Sequence, residues 1–356
     1  MNKQSNDNLL SRQLQEWYRQ YRRDLPWRDS NNPYAVWVSE IILQQTRVNQ
    51  GRDYFLRFME RFPDIESLAK APEDEVMKCW EGLGYYSRAR NLHAAARQVV
   101  EEFKGHFPAS HDEMLRLKGV GEYTAAAVAS IVFGQPYPVV DGNVFRVLSR
   151  LFAIKEPIDT STGRKLFTGT AAAILDPQDP GTHNQAIMEL GALVCTPRLP
   201  RCGECPLQHY CMAFERGEVS AFPVKKGKPV LRRRYLNYFH IEQDGFTFIR
   251  RREDADIWRN LYEFPLIETE TESDLAALQS DPRFHTLFPP DSEVSFRHVC
   301  RLKHLLTHRI IHADFYRVEL PGTKFPALEG DFLRIGSASL SEYPVSRLLQ
   351  RYLETI

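Results

Sequence analysis

The sequence predicts a two-domain protein: an all-α domain that carries a metal-binding module, followed by an α+β domain. Three observations predict it. Up to about residue 220 the chain reads as helices punctuated by Pro, Gly and Asn. Four of the six cysteines fall in one stretch, Cys195-x6-Cys202-x2-Cys205-x5-Cys211. Beyond a basic segment, the apolar pattern changes to the period of two that marks strands. The composition, 356 residues with 43% hydrophobic and 46 basic against 46 acidic side chains, suits a soluble chain of about two domains. A polar N-terminus without an apolar core and the lack of a long apolar run argue against a secretory signal or a membrane span. Neutral net charge decides nothing about nucleic acid, because a binding face can be locally basic while acids elsewhere cancel the sum.

Taken in order, Asn31-Asn32-Pro33 reads as a cap with proline in the first turn, opening a helix over residues 34–48. Ser110-His111-Asp112-Glu113 has capping-box spacing and starts a short helix that ends near Leu117. The run 123–133, past Gly119 and Gly121, is small and apolar almost all round, so it predicts a buried central helix. Ala221-Phe222-Pro223 then leads into six positive charges in ten residues, from Lys225 to Arg234, which read as a solvated interdomain linker. Strands follow over 235–241 and 246–249, joined by a turn at Gln243-Asp244-Gly245, with another over 312–318 and a closing helix over 341–353.

Four chemical features stand out. The four cysteines can converge on one metal centre, and an all-sulfur ligand set suits either a structural zinc or an iron–sulfur cluster. A disulfide framework is disfavoured, since Cys79 and Cys300 are isolated and the expected compartment is a reducing cytoplasm. Leu117-Lys118-Gly119-Val120-Gly121 places two glycines between helices, where backbone N–H groups at a helix start can hold a phosphate; a plain helical hairpin is the bland alternative. Downstream, Val139-Val140-Asp141-Gly142-Asn143 brings an acid out of an apolar run onto a helix start. Glu40 lies inside the apolar run 36–43, where burial would raise its pKa toward the proton-donating range, although an exposed glutamate is the commoner fate.

The hairpin at 117–124, the following Asp141 and the cysteine spacing together resemble the helix-hairpin-helix DNA glycosylases. That resemblance implies a 4Fe–4S cluster on Cys195, Cys202, Cys205 and Cys211, phosphate binding by Gly119, Val120 and Gly121, and DNA-facing roles for Arg198 and Arg201 between the first two ligands. The lyase branch carries a lysine where this chain has Tyr123, and Lys118 lies on the wrong side of the turn to replace it, so a monofunctional enzyme is expected. The segment 37–46, with Trp27-Arg28 and Leu83-Gly84-Tyr85-Tyr86-Ser87-Arg88, resembles the MutY family of adenine DNA glycosylases. In that family's pattern Glu40 protonates the adenine, Asp141 stabilises or traps the sugar cation, Tyr123 and Asn143 orient Asp141, and Gln185 contacts the flipped base. Trp27, Arg28, Gln45, Thr46, Leu83 and Tyr85 would contact substrate, with Gln45 and Tyr85 as the wedge beside the opposite base.

The resemblance extends to the C-terminal region. Residues 258–265 and His304-Leu305-Leu306-Thr307-His308 resemble the Nudix-like lesion-reading domain of the same family. Thr307, flanked by Leu306 and His308, is apt for 8-oxoguanine, whose N7–H is a donor where guanine has an acceptor. The family's usual aromatic is replaced here by Leu306, and the glutamate-rich signature of Nudix catalysis is absent. The implied layout is a helical catalytic domain over 1–222, with a six-helix barrel part at about 33–139 and a cluster module from 1–32 plus 140–222. A linker at 223–234 and a Nudix-like domain over 235–356 complete it. The expected protein is a monomeric base-excision-repair enzyme of a bacterial cytoplasm and nucleoid, acting on double-stranded DNA with adenine opposite 8-oxoguanine or guanine. Two alternatives are a bifunctional glycosylase/lyase for oxidised pyrimidines, against which Tyr123 and the C-terminal domain speak, and a non-catalytic iron–sulfur DNA-binding protein, against which Glu40 and Asp141 speak.

Overall fold

The computed structural model describes residues 3–227, 230–290, 293–320, 328 and 330–356, with side chains from residue 9 onward. Lys228 and Pro229 of the expected linker lie outside the described residues. The chain packs as two compact units, Met1–Lys70 with Asn91–Gly227, and Ala71–Arg90 with Lys228–Ile356.

The helices in chain order are α1 (Lys3–Tyr21), α2 (Pro33–Leu43), α3 (Val48–Arg61), α4 (Ile65–Lys70), α5 (Glu73–Cys79), α6 (Ser87–Phe103), α7 (His111–Arg116), α8 (Glu122–Ile131), α9 (Gly142–Leu151), α10 (Ser161–Ile174), α11 (Pro180–Leu193) and α12 (Met212–Glu215). In the first unit α2 and α8 are buried nearly all round, as their apolar sequences require. The Asn32 side chain caps α2 by accepting from the N–H groups of Tyr34 and Ala35, and Ser110 caps α7 by accepting from Glu113. Trp37 and Val38 are wholly buried, each such side chain contributing about 1.5–3 kcal/mol. A second apolar cluster joins α1, α9, α10 and α11 through Leu14, Leu148, Phe167 and Leu190.

Helix α2 stops at Leu43, short of the helix expected over 34–48. Gln45 takes φ 58°, a left-handed conformation that breaks the i to i−4 ladder, and α3 starts afresh at Val48.

The second unit is built on a mixed sheet of β1 (Arg232–Gln243), β2 (Phe246–Arg251), β3 (Tyr262–Glu263), β4 (Leu266–Thr269), β5 (Ser295–Leu305), β6 (Arg309–Glu319) and β7 (Leu333–Gly336). The spatial order is β3-β2-β1-β6-β5, with β4 on β1 and β7 on β2. β1 and β6 run parallel from Arg232↔Arg309 to Glu242↔Glu319. Asp244 and Gly245, both left-handed at φ 50° and 78°, close the β1–β2 hairpin. One sheet face packs Tyr238 and Phe315 against Tyr352 of α13 (Arg347–Leu353). The other packs Phe239 against Phe284 and Phe288 of the helical segment 275–288.

Three sequence-based boundaries differ from the structure. Arg232, Arg233 and Arg234, read as linker, belong to β1, where Arg234 pairs with Asp256 and Glu268. The closing helix begins at Arg347 rather than 341, because residues 337–342 form a 3-10 turn and Pro344 interrupts the run. Residues 71–90, assigned by sequence to the helical domain, pack with the sheet. There the Val345 N–H donates to Glu81 and its carbonyl accepts from Tyr86, while Tyr262 donates to Asp74.

Candidate active site

Glu40 sits on α2 and is 7% exposed. The Tyr123 hydroxyl, from α8, donates to its Oε2 at 2.6 Å, so Tyr123 bonds Glu40 and not Asp141, the residue it was expected to orient. Burial raises the Glu40 pKa above the usual carboxylate range; the Tyr123 bond opposes this, the Asp141 charge adds to it and Arg28 opposes it. Tyr123 also approaches Met188 Sδ at 3.6 Å, and burial holds its phenol well above the ordinary value, so it remains a donor.

Asp141 is the N-cap of α9. Its Oδ1 accepts from the backbone N–H groups of Asn143 at 2.9 Å and Val144 at 2.8 Å, and its Oδ2 accepts from Asn143 Nδ2 at 2.8 Å. Burial pushes its pKa up, while these donors, the Arg146 charge and the helix start hold the anion. Arg146 donates to Asn143 Oδ1 at 2.8 Å, to the Gly191 carbonyl at 2.7 Å and to the Cys195 carbonyl at 2.6 Å. Glycine is required at 191, since a Cβ there would stand 2.6 Å from that of Asn143.

A second cluster surrounds Arg28, which donates to Glu189 Oε2 at 2.9 Å and to the Tyr18 hydroxyl. Arg23 also pairs with Glu189, at 2.6 Å. Tyr18 in turn donates to Gln185 Oε1 at 3.2 Å, so Arg28 and Gln185 share a partner. Trp27 is packed edge-on against Phe55 and buried. Glu189, Met188, Arg146 and Tyr18 escaped the sequence reading. Glu189 and Gln185 are four apart on α11 and share a face, a signal that was present; Tyr18 on α1 gave none.

In the hairpin, Gly119 takes φ 76° and its position leaves no room for a Cβ, which would meet Asn91 Cβ at 2.5 Å. Gly121 caps α8 without a side-chain hydrogen bond and faces open space, leaving the helix start accessible to an anion. The Val120 N–H is bonded to the Leu117 carbonyl. Gln45 is exposed in its left-handed conformation, and Thr46 Oγ1 lies 3.5 Å from the Gln44 carbonyl.

The second unit holds a cavity of about 600 Å³ whose lining includes Leu83, Tyr85, Trp258, Leu306, Thr307 and His308. Tyr85, left-handed at φ 47° and 45% exposed, shares a 2.8 Å hydrogen bond with the Thr307 hydroxyl. Thr307 and His308 are exposed, whereas Leu83 is buried.

Cys195, Cys202, Cys205 and Cys211 are all free and half-buried, and they ring one void of about 30 Å³ lined also by Arg150. Burial raises the thiols of Cys202 and Cys211 and pushes that of Cys205 up to about 12, so any metal group held there displaces protons. Among the described residues no three His, Cys, Asp or Glu side chains sit as a single-ion site. Four thiols ringing one void fit an all-sulfur metal group. Arg201 is engaged by Glu204 and the Leu193 carbonyl, while Arg198 is exposed.

Residues 38–168 match the HhH-GPD superfamily of base excision DNA repair proteins, 195–211 the iron-sulfur binding domain of endonuclease III, and 237–355 the NUDIX domain. The chain is 47% identical over 243 residues to mouse (Mus musculus) adenine DNA glycosylase, covering 65% of this chain and 45% of that protein. It is 31% identical over 314 residues to the adenine DNA glycosylase of Buchnera aphidicola from Acyrthosiphon pisum, covering 88% of this chain and 87% of that one. A solved thermostable thymine-DNA glycosylase superposes on 60% of this chain and 98% of its own, with TM-score 0.55 and 28% identity. The chain spans less than half the length of its mouse, rat and human relatives. The cysteine quartet is thus an iron–sulfur module for a 4Fe–4S cluster.

Proposed function

The chain belongs to the adenine DNA glycosylase family, and we propose that it hydrolyses the N-glycosidic bond of adenine paired with 8-oxoguanine or guanine, leaving the DNA backbone intact. The observation that carries this reading is the contrast between two buried carboxyls. Asp141 meets three N–H donors, whereas Glu40 is given one hydroxyl donor and lies under the Asp141 charge. Burial raises both pKa values, and the contrast in donors favours the proton on Glu40 and the negative charge on Asp141.

Adenine is a poor leaving group as an anion, so protonation of a ring nitrogen, N7 by this reading, must precede bond cleavage. Glu40 supplies that proton, and Tyr123 fixes the carboxyl that donates it. Asp141 faces the oxocarbenium-like sugar that results, by charge or by a covalent bond. Glu40, then ionised, activates the water that completes hydrolysis. Arg28, Gln185 and Trp27 frame the extruded base, with Glu189 holding Arg28 in place. Tyr123 offers no amine for a Schiff base, which is why the strand is spared. Cys195, Cys202, Cys205 and Cys211 would hold the iron–sulfur cluster, which would supply either a tie for the 195–211 loop or electron transfer; no step of the excision is assigned to it.

Residue by residue, Gly119, Val120 and Gly121 grip the phosphates, Gln45 and Tyr85 are the wedge beside the opposite base, Thr46 and Leu83 contact substrate, and Leu306, Thr307 and His308 read the opposite base. By the same reading the first unit, residues 1–70 with 91–227, is the catalytic part and the second, 71–90 with 228–356, the reader, and the protein acts as a monomer in a bacterial cytoplasm. Among the described residues no helix is long and apolar enough to cross a membrane.

Single-turnover reaction with a duplex carrying adenine opposite 8-oxoguanine, half of each sample then heated in alkali, tests this. Breaks only after alkali are expected. Breaks without alkali would show a lyase, and no abasic sites at all would leave a DNA-binding protein.

A further inference from the structure

Arg150 is a buried cation that the excision chemistry does not use. It is 2% exposed on α9, one turn beyond Arg146. Its Nη1 donates to Cys195 Sγ at 3.3 Å and to the Thr196 carbonyl at 2.8 Å, and its Nη2 to the Pro197 carbonyl at 3.2 Å. Its Nε is shared by the carbonyls of Val219 at 3.1 Å and Phe222 at 3.3 Å. One guanidinium thus grips the chain just after the first cysteine and again beyond the last, closing the loop that holds all four.

A buried arginine satisfied by carbonyls alone would be ordinary packing. The sulfur contact sets this one apart. Arg150 lines the void ringed by the cysteine sulfurs, so its charge stands against a group whose ligands must all be thiolates. A planar fork can serve the sulfur and both chain segments together, which a lysine ammonium cannot.

We propose that Arg150 is the positioning residue of the cluster module: it clamps the two ends of the cysteine loop and, through its bond to the Cys195 sulfur, raises the reduction potential of the cluster. The clamp governs how long the cluster stays; the N–H···S bond governs its potential, because a donor to a ligand sulfur draws off electron density and favours the reduced state. This rests on the iron–sulfur assignment and not on adenine chemistry, and its test does not read excision.

The full-length holoprotein is compared with Arg150→Met and Arg150→Lys. Cluster release to an iron chelator is followed by visible absorbance, the midpoint potential by protein-film voltammetry, and helix content by circular dichroism. Arg150→Met is expected to release its cluster roughly 10- to 100-fold faster and to shift the potential to more negative values, with helix content retained. Arg150→Lys keeps a cation beside the sulfur but loses the fork, so it releases the cluster faster while its potential stays nearer that of the parent. A Met variant with the parental release rate and potential overturns the proposal. If the Met variant does not accumulate, Arg150→Lys decides alone: parental release overturns the clamp, and faster release with helix content intact supports it.

Discussion

Glu40 and Asp141 carry the same functional group, and what separates them is the number of donors each meets. Both residues were legible in the sequence, one as an acid inside an apolar run and the other as an acid at a helix start. Their division of labour was not, because it depends on Tyr123 arriving from α8 and Asn143 folding back onto its own cap. The Glu40 pKa lies above its unfolded value, so its contribution to stability is full below the unfolded value and is lost as pH rises through the folded one. Glu40→Gln removes that loss. The variant loses base excision, melts higher than the parent at neutral pH, and shows a difference in Tm that closes as pH falls toward the ordinary carboxylate range. An unchanged or lower Tm at neutral pH would show that Glu40 is held as a stabilised anion. In the proposed reading it is the Thr307 hydroxyl, not the chain shape, that recognises the lesion. Thr307→Val therefore loses about 1–3 kcal/mol of discrimination between 8-oxoguanine and guanine, seen as a drop in the ratio of excision rates, and Thr307→Ser keeps it.

At the scale of elements, capping located the starts of α2 and α7: Asn32 and Ser110 cap where their spacing predicts. The stop of α2 was missed because Gln45 is neither Gly nor Pro, and nothing local to its sequence demands a positive φ. Gln45 and Tyr85 are both left-handed non-glycine residues. Such strain costs about 1–3 kcal/mol each; the two residues assigned to the wedge share it with Asp29, Lys104, Ala153, Asp244, Trp258 and Asn260, so it does not by itself mark the wedge. The hairpin was readable from its glycines, yet the reason Gly119 must be glycine, its approach to Asn91 on α6, lies in tertiary packing. Gly119→Ala meets both a positive φ and that contact, and destabilises the protein by about 1–3 kcal/mol in chemical denaturation. A neutral result would mean that the hairpin relaxes and that its shape is not set by Asn91.

For the whole molecule, the change of periodicity beyond residue 230 separated helical from sheet-bearing chain, but it could not show that residues 71–90 pack with the sheet, since their own pattern is helical. Two buried histidines, one in each unit, set an expected acid limit to stability. His183, bonded to Ser11 on α1, and His240, bonded to Tyr352, are buried and have pKa values lowered to about 4. A histidine with a lowered folded pKa lends stability that is present above its unfolded value near 6.5 and is lost as pH falls toward the folded one. Each contributes about 3 kcal/mol over that window, so Tm falls between about pH 6.5 and 4, and replacing both by Gln flattens that slope. A slope unchanged by the double replacement would assign the acid limit to other groups. We propose that one chain both removes adenine and restricts itself to mispairs, which the single-turnover rate of adenine release opposite 8-oxoguanine, guanine and thymine in otherwise identical duplexes measures. Rapid release opposite 8-oxoguanine, slower release opposite guanine and none opposite thymine is the predicted result, and equal rates opposite all three would contradict it.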